Sequence, residues 1–238
     1  MTESYRKYGN NVKNILISDE RVGVYHKSNF DNYNYGDMTP INSQIINDIP
    51  GGKIVLTEEV YDALMAVCDV TSDTNNEFPF HLYGKDLGNN NIEFSEFFSS
   101  SKKREITSVS FDEHILDSTM NKINKHLHEK SVDDSTNKLV VAHGHSHPSI
   151  GSFYENFSLG DFCSYMYMNK ENEIFNSRDV ELVSCLVTPS RDVNFLFYDN
   201  QYEKFYRFIN VVVRNKNNVE IPVNCYGIKH SNNRINGR

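Results

Sequence analysis

An apolar run followed by three alternating histidines constrains the fold of this chain more than any other feature. Leu139 to Ala142 is typical of a buried strand, and His143, His145 and His147 then occupy every second position before Pro148. Side chains of a strand alternate between its faces, so histidines two residues apart project from the same side. Pro148 has no backbone N–H for a β-ladder and predicts the end of the strand. We therefore expect His145 and His147 to converge at that end.

This pair of histidines has the spacing of metal ligands. Neutral imidazole suits zinc, and a carboxylate such as Asp161 is a natural third ligand that leaves a fourth position for water. Three protein ligands with an open position are typical of catalytic zinc sites. His126 and His128 have the same spacing but lie in a helical pattern, where two residues turn through roughly 200° and the side chains diverge. The alternative is a histidine-rich turn that binds metal only adventitiously.

A Ser-x-x-Asp step, Ser158 to Asp161, follows the histidines and opens a predicted helix that extends to about Asn169. Serine is a favoured N-cap residue, and an acidic residue in the first turn interacts well with the helix dipole. On spacing alone, helix capping is the simpler interpretation of this step. Metal ligation by Asp161 depends on the histidines being close to it.

Charge and composition limit the classes of function. The formal charge of −8 argues against a general nucleic-acid binder or a binder of anionic membranes. No segment approaches the roughly 20 apolar residues that span a bilayer, and Met1 to Ile17 lacks the pattern of a secretory signal. These features predict a cytoplasmic protein without a membrane partner.

The four cysteines indicate neither a disulfide framework nor a zinc knuckle. They are widely spaced and form no C-x-x-C pair. Cys68, Cys163 and Cys185 lie among apolar neighbours, so we expect them to pack as small core side chains. Cys225 has no such context.

The order of predicted elements favours an α/β fold with a mixed β-sheet flanked by helices. Pro50-Gly51-Gly52 suggests a boundary, which divides the chain into a polar extension over 1–52, a domain over 53–213 and a polar tail over 214–238. Within the domain, Thr57 is the predicted N-cap of the first helix, which ends at a polar loop over Thr71 to Asn76. A further strand is predicted over Ile106 to Phe111. The segment from Tyr202 to Val213 fits either a strand or a short helix.

A metal that activates water also needs a general base, and Glu77 is the candidate. It begins the segment E-F-P-F-H-L-Y-G, which ends at Gly84. Glu77, then His145-Ser146-His147-Pro148, then Ser158-x-x-Asp161 resembles the signature of the JAMM, or MPN-plus, metalloproteases: E, H-[ST]-H-P and S-x-x-D. The resemblance covers about residues 53 to 213. The separation of His147 from Ser158 is longer than is usual in the family, but only Ser158 among the nearby serines has an aspartate at the right offset.

The resemblance implies an MPN/JAB-like fold with cytidine-deaminase-like layering, and a single zinc ion held by His145, His147 and Asp161. Glu77 would take a proton from the attacking water and return it to the leaving amine, and Ser158 would donate a hydrogen bond to the oxyanion. Family members hydrolyse peptide or isopeptide bonds, many of them after the C-terminal glycine of a ubiquitin-like protein. A protein or peptide substrate is therefore expected.

Two other functions are compatible with the same residues. One is a non-catalytic interaction module with the MPN fold, although such modules tend to lose the histidines and acids that this chain keeps. The other is a role in DNA metabolism like that of the RadC group, against which the negative charge argues. His143 is expected to line the cleft, and His81 to be an ordinary sheet histidine.

Overall fold

The structure is a computed structural model that describes residues 46–99, 117, 119–126, 138–149, 155–171 and 180–230. This part of the chain forms ten strands and three helices. The strands are β1 Asn47–Asp48, β2 Lys53–Thr57, β3 Pro79–Gly88, β4 Asn91–Ser99, β5 Leu139–Ser146, β6 Val180–Val187, β7 Val193–Asp199, β8 Lys204–Phe208, β9 Val211–Arg214 and β10 Glu220–Pro222. The helices are α1 Glu58–Thr74, α2 at residues 119–126 and α3 Leu159–Glu171.

All ten strands belong to one mixed sheet, in the order β1-β8-β7-β6-β5-β3-β4-β2-β9-β10. The predicted α/β class, a mixed β-sheet flanked by helices, is therefore confirmed. The predicted strand over Ile106 to Phe111 lies outside the described residues, as do positions 1–45 and 231–238 of the polar extension and tail.

The sheet curls because β8 and β9 lie near its opposite ends yet follow one another in the chain. Only Ile209 and Asn210 separate these two strands. Curling also brings Phe94 of β4 against Phe195 of β7, with ring centroids 5.5 Å apart. In a flat sheet strands four positions apart would be separated by about 19 Å. The two rings therefore face each other across the concave side.

One apolar cluster fills this concave side and is covered by α1. The buried residues that α1 contributes include Val60, Leu64, Val67 and Cys68, as the sequence predicts. The Oγ1 atom of Thr57 accepts a hydrogen bond from the Val60 amide, which confirms the predicted N-cap.

The predicted loop over Thr71 to Asn76 was wrong over its first four residues. Helix α1 continues to Thr74, and Asn75 ends it in the left-handed conformation at φ 55°. The hydroxyl of Thr71 is buried and lies 2.5 Å from the hydroxyl of Ser146 in β5. A tertiary hydrogen bond thus satisfies a polar group that the sequence pattern assigned to solvent.

A second apolar cluster lies on the convex side, beneath α3. Phe162, Cys163, Tyr165 and Met166 of this helix are all buried there. The hydroxyl of Tyr165 donates to the carbonyl of Leu182 in β6 at 2.7 Å. The predicted helix after Ser158 is therefore confirmed, and it is anchored to the outer face of the sheet.

Strand β5 divides its side chains between the two clusters. Val140 and Ala142 pack in the concave cluster, whereas Leu139 and Val141 pack in the convex one. By the same alternation, His143 and His145 lie on the convex side, which α3 covers. The apolar half of the strand thus sets the face on which the histidines project.

The sheet extends beyond both predicted domain boundaries. Strand β1 precedes Lys53 and pairs in parallel with β8, and β10 follows Val213 and pairs with β9. Val223 and Cys225 are also buried. The ambiguous segment before Val213 forms two strands, β8 and β9, because the connection at 209–210 carries the chain from one end of the sheet to the other.

The cysteines are buried as free thiols, which agrees with the prediction for Cys68, Cys163 and Cys185 and adds Cys225. Within the described ranges, no helix combines the length and the apolar character needed to cross a bilayer.

Gly84 provides a test of the sheet geometry. A Cβ atom at Gly84 would lie 2.1 Å from the carbonyl oxygen of Glu93 in β4, beside a β-bulge. We expect Gly84→Ala to lower the free energy of unfolding by about 1–3 kcal/mol, because the backbone must move to accept the methyl group. Urea denaturation measures this loss.

The control is Gly160→Ala in α3, where the nearest atom to a new Cβ is 3.5 Å away. Alanine also has the higher helix propensity, so this variant should be neutral or slightly stabilised. Equal losses in the two variants would contradict the close approach of β3 and β4.

Candidate metal centre

The candidate site lies where the end of β5 meets the start of β3. These strands are antiparallel neighbours, and Pro79 of β3 is paired with His145 of β5. Glu77 is two residues before Pro79, so the strand pairing carries it to the same end of the sheet as the histidines. The amide of Ser146 also donates to the Phe78 carbonyl at 3.1 Å.

Three of the predicted site residues form one cluster. The Nε2 atoms of His145 and His147 are 3.0 Å apart. Asp161, from the first turn of α3, places Oδ1 3.2 Å from His145 Nε2 and Oδ2 3.6 Å from His147 Nε2. Among the described residues, this is the group of His, Cys, Asp and Glu side chains whose ligand atoms come close enough to hold a metal ion.

The cluster fits zinc in both geometry and donor type. A tetrahedral ion at about 2.0–2.2 Å from each ligand atom spaces those atoms about 3.3–3.6 Å apart. The two imidazole nitrogens are 3.0 Å apart, and the carboxylate places Oδ1 3.2 Å from His145 and Oδ2 3.6 Å from His147. With one ligand atom taken from each residue, all three lie within 4.8 Å of one another, close enough to share one ion. Two imidazole nitrogens and one carboxylate also match the donor set of catalytic zinc sites. The exposed fractions of the side chains are 10% for His145, 1% for His147 and 19% for Asp161, so the cluster is largely shielded.

Asp161 is held in place by Ser158 through a reciprocal capping arrangement. The Ser158 amide and hydroxyl both donate to Asp161 Oδ2, at 2.7 and 2.9 Å, and the Asp161 amide donates back to Ser158 Oγ at 3.2 Å. Such an arrangement satisfies backbone groups at the start of a helix. The capping interpretation of this step therefore holds, and the same bonds orient the carboxylate toward the histidines.

The cluster shifts the pKa values of its members in opposite directions. Burial raises the pKa of Asp161, but the charge of His145 and hydrogen bonds from both histidines outweigh burial and hold it well below its usual range. Burial lowers the pKa of His145, but the charge and hydrogen bond of Asp161 and the charge of Glu77 raise it to about 9. In the metal-free protein, Asp161 is thus a carboxylate that attracts a positive charge, as a metal ligand must.

Glu77 contributes a buried carboxyl group beside this cluster. Its residue is 4% exposed. Burial raises its pKa to about 8, the charge of His145 lowers it and the charge of Asp161 raises it further. Among the described residues the Glu77 side chain makes no hydrogen bond and no ion pair. A carboxyl group whose pKa lies close to physiological pH, and which has no fixed hydrogen-bond partner among the described residues, is suited to exchange a proton at the site.

Ser146 is a residue of the site that the sequence analysis missed. Its Oγ lies 2.5 Å from Thr71 Oγ1 in α1 and accepts the Phe78 amide at 3.0 Å. The side chain between the two histidines therefore ties the ligand strand to the segment that carries Glu77. The signal in the sequence is the hydroxyl residue of the H-S-H-P segment, but its partners lie far away in the chain.

His143 stays apart from the metal cluster. Its Nδ1 lies 2.9 Å from His81 Nε2, and His81 Nδ1 lies 2.6 Å from Thr119 Oγ1 in α2. Burial lowers the pKa of His143 well below its ordinary value and that of His81 to about 3, so both rings are neutral. His81 is thus more than an ordinary sheet histidine, because it links β5 to α2 through a buried hydrogen-bonded chain.

Comparison with known proteins gives no independent assignment: no protein-family model matches this sequence, and no curated protein matches it. The candidate site is therefore interpreted from its own geometry and chemistry.

The cluster predicts one bound zinc ion that depends on each of its three members. We expect His145→Ala, His147→Ala and Asp161→Asn each to weaken zinc binding by about 100-fold or more, because each removes one of three protein ligands. Titration against a chromophoric chelator measures the affinity. His230→Ala, which changes a histidine outside the cluster, should bind zinc as the natural sequence does. Unchanged affinity in any ligand variant would contradict the site.

Zinc binding should also depend on pH. Because the pKa of His145 is raised to about 9 in the metal-free protein, zinc must displace a proton from this ring below that pH. We expect the affinity to rise about tenfold per pH unit between pH 6 and 9. The same chelator competition, repeated across this range, measures the slope. A flat profile would show that no proton leaves on binding.

Proposed function

We propose that this protein is a zinc-dependent hydrolase of peptide or isopeptide bonds, with an MPN/JAB-like fold and a JAMM-type site. The observation that carries the proposal is the position of Glu77. Its carboxyl has no hydrogen-bond or ion-pair partner in the described part of the chain, and the pairing of β3 with β5 brings it beside the three candidate ligands. A purely structural metal site needs neither a buried acid beside the ion nor an open coordination position on it.

Zinc held by His145, His147 and Asp161 would lower the pKa of a water molecule toward about 7 and polarise the carbonyl of the scissile bond. The histidines supply neutral nitrogen donors once His145 has lost its proton. The carboxylate of Asp161 supplies the negative charge, and its bonds to Ser158 fix its orientation.

Glu77 moves the proton. Its raised pKa in the metal-free chain reflects burial, and a nearby metal cation would lower it and favour the carboxylate. The carboxylate takes a proton from the attacking water while the new carbon–oxygen bond forms. It then delivers that proton to the amide nitrogen as the carbon–nitrogen bond breaks, so the products are a carboxylic acid and an amine, and the acid passes its remaining proton to the amine to give a carboxylate and an ammonium group.

Ser158 is assigned the hydrogen bond to the developing oxyanion. Its hydroxyl donates to Asp161 Oδ2 at 2.9 Å in the metal-free chain, so this donor has to be redirected when a substrate binds. Its amide keeps a separate bond of 2.7 Å to the same oxygen. Asp161 therefore stays oriented after the hydroxyl turns away.

The substrate class follows from the resemblance of the motifs rather than from a bound ligand. A protein or peptide chain, in particular the C-terminal glycine segment of a ubiquitin-like protein, is the proposed substrate. The curled mixed sheet, with α1 on one side and α3 on the other, supports the proposed fold. The proposed fold is also supported by the origin of the candidate ligands. His145 and His147 come from a strand end, and Asp161 comes from the helix that follows.

Glu77→Gln separates a catalytic role from a structural one. We expect this variant to lose about 10²–10⁴-fold in kcat/KM, because it keeps the shape of the side chain but cannot carry the proton. Zinc binding should remain, since Glu77 is not a ligand. Hydrolysis of quenched fluorescent peptides and of ubiquitin-like proteins fused to a reporter measures the activity of zinc-loaded protein.

The same variant should gain stability when metal-free. The pKa of Glu77 in the folded chain, about 8, lies above its ordinary value of 4.5, so the folded state holds a proton that the unfolded state releases between these pH values. Stability therefore falls as pH rises through that range, and Glu77→Gln should remove a loss of about 3 kcal/mol at pH 7. Urea denaturation measures it.

Glu59→Gln is the matched control, because Glu59 is exposed in the first turn of α1. It should leave activity unchanged and lower stability by no more than about 1 kcal/mol, through the lost interaction with the helix dipole. Zinc-loaded protein that hydrolyses no substrate of the panel, or activity that persists in Glu77→Gln, would contradict the proposed function.

A further inference from the structure

A second concave site lies at the opposite end of the curled sheet from the metal centre. It is a cavity of about 280 Å³ that opens on the concave side. Its walls include four aromatic residues, Phe197, Tyr202, Tyr206 and Phe208, and three carboxylates, Asp86, Glu181 and Asp199. Ligand cavities commonly have volumes of about 300–1,000 Å³, so this cavity lies at the lower end of that range and suits a small ligand.

The cavity is separate from the candidate metal centre. Glu181 is paired with Val140 near the start of β5, whereas Leu186 is paired with His145 near its end. Five residues of β6 separate these positions, which is roughly 16 Å along the strand. Val140 belongs to the concave cluster, whereas His145 projects to the convex side. The two sites therefore lie at opposite ends and on opposite faces of one sheet.

Two of the carboxylates are positioned by the turns that carry them. Asp86 Oδ1 accepts the Gly88 amide at 2.7 Å. Asp199 Oδ1 accepts the amides of Gln201 and Tyr202 at 2.8 and 3.1 Å. In each case the turn amides bond to one carboxylate oxygen, Oδ1, and the turn holds the group at the cavity rim.

Glu181 makes no hydrogen bond and no ion pair among the described residues. Burial raises the pKa of Glu181, the charge of Asp86 raises it further, and the charge of Lys138 opposes them. The two carboxylates thus repel one another at the cavity wall. A cation inside the cavity would relieve this repulsion, whereas an anion would add to it.

The walls favour an organic cation over a metal ion. Asp86, Glu181 and Asp199 do not bring their oxygens to one point, since they form no metal-competent group among the described residues. Apart from Asn90, the rest of the wall is aromatic or aliphatic and supplies few of the oxygen ligands that calcium or magnesium needs. Aromatic faces with dispersed carboxylates instead suit an ammonium group that carries an apolar body.

We propose that this cavity binds a small organic ammonium cation, with the charged nitrogen near Glu181 and Asp86 and its carbon substituents against Phe197, Tyr206 and Phe208. The ligand is a free small molecule, and its binding does not require the metal centre. This site is independent of the proposed hydrolase activity, so the failure of either leaves the other standing.

The test uses the full chain and two cations, choline and n-butylammonium, each beside a neutral compound of similar shape, dimethylbutanol and butanol. Isothermal titration calorimetry measures the affinities, with and without one equivalent of zinc. At least one cation should bind saturably, about tenfold or more tighter than its neutral counterpart, because a buried charge-assisted contact is worth that much. The affinity should not change with zinc.

Glu181→Gln should weaken binding of that cation about tenfold, since it removes the charge and keeps the shape. Relief of the repulsion with Asp86 means that this variant should fold, and a thermal melt checks that it does. Glu59→Gln removes the same charge from the exposed surface of α1 and should bind as the natural sequence does. Tyr206→Leu should weaken binding several-fold, as expected for the loss of a cation–π contact.

Three results would overturn the proposal. They are the absence of saturable binding by either cation, equal binding of the cations and their neutral counterparts, and unchanged binding in folded Glu181→Gln. The absence of saturable binding would mean that the cavity carboxylates do not attract a free organic cation.

Discussion

The antiparallel pairing of β3 with β5 is the constraint on which the rest of the site depends. It lies in the middle of the ten-stranded sheet, and its register places Pro79 opposite His145. Because of this register, the residues just before β3 and just after β5 emerge at the same edge. Ser146 strengthens the junction by bonding to both Phe78 and Thr71. A shift of one residue would turn the histidines from the convex side into the apolar concave cluster.

The curl of the sheet gives its concave and convex faces different surroundings. By bringing β4 opposite β7, it creates a concave core that α1 covers, while α3 packs on the convex side and supplies Asp161. The two faces therefore differ in chemistry: the convex side carries the histidine cluster at one end, and the concave side opens as a cavity at the other. Each of these two sites contains a carboxyl group whose pKa is raised by burial: Glu77 at the metal centre and Glu181 at the cavity. Carboxyl groups held at such a cost in stability are typical of functional positions.

Local patterns predicted most of the fold. The apolar run before His143 predicted a strand, the spacing of Val60, Leu64 and Val67 predicted the buried face of α1, and Ser158 predicted the start of α3. Errors arose where distant contacts override local preference. Thr71 looked like a loop residue because its partner, the hydroxyl of Ser146, belongs to another strand. The segment before Val213 was ambiguous because only sheet closure separates β8 from β9. The family resemblance stays a prediction.

By itself, the sequence determined which chemical groups this protein can bring to a site: the alternation of His145 and His147, the offset of Asp161 from Ser158, and a glutamate ahead of an aromatic strand. Alternation and helical spacing are local properties, so they follow from the order of residues. Only the tertiary structure decided which groups meet. The pairing of β3 with β5 brought Glu77 to the histidines and His81 to His143, and the packing of α1 against the sheet brought Thr71 to Ser146. The curl gathered Asp86, Glu181 and Asp199 around one cavity. Such meetings depend on strand order and register, which arise from packing over the whole sheet, and no short stretch of sequence encodes them.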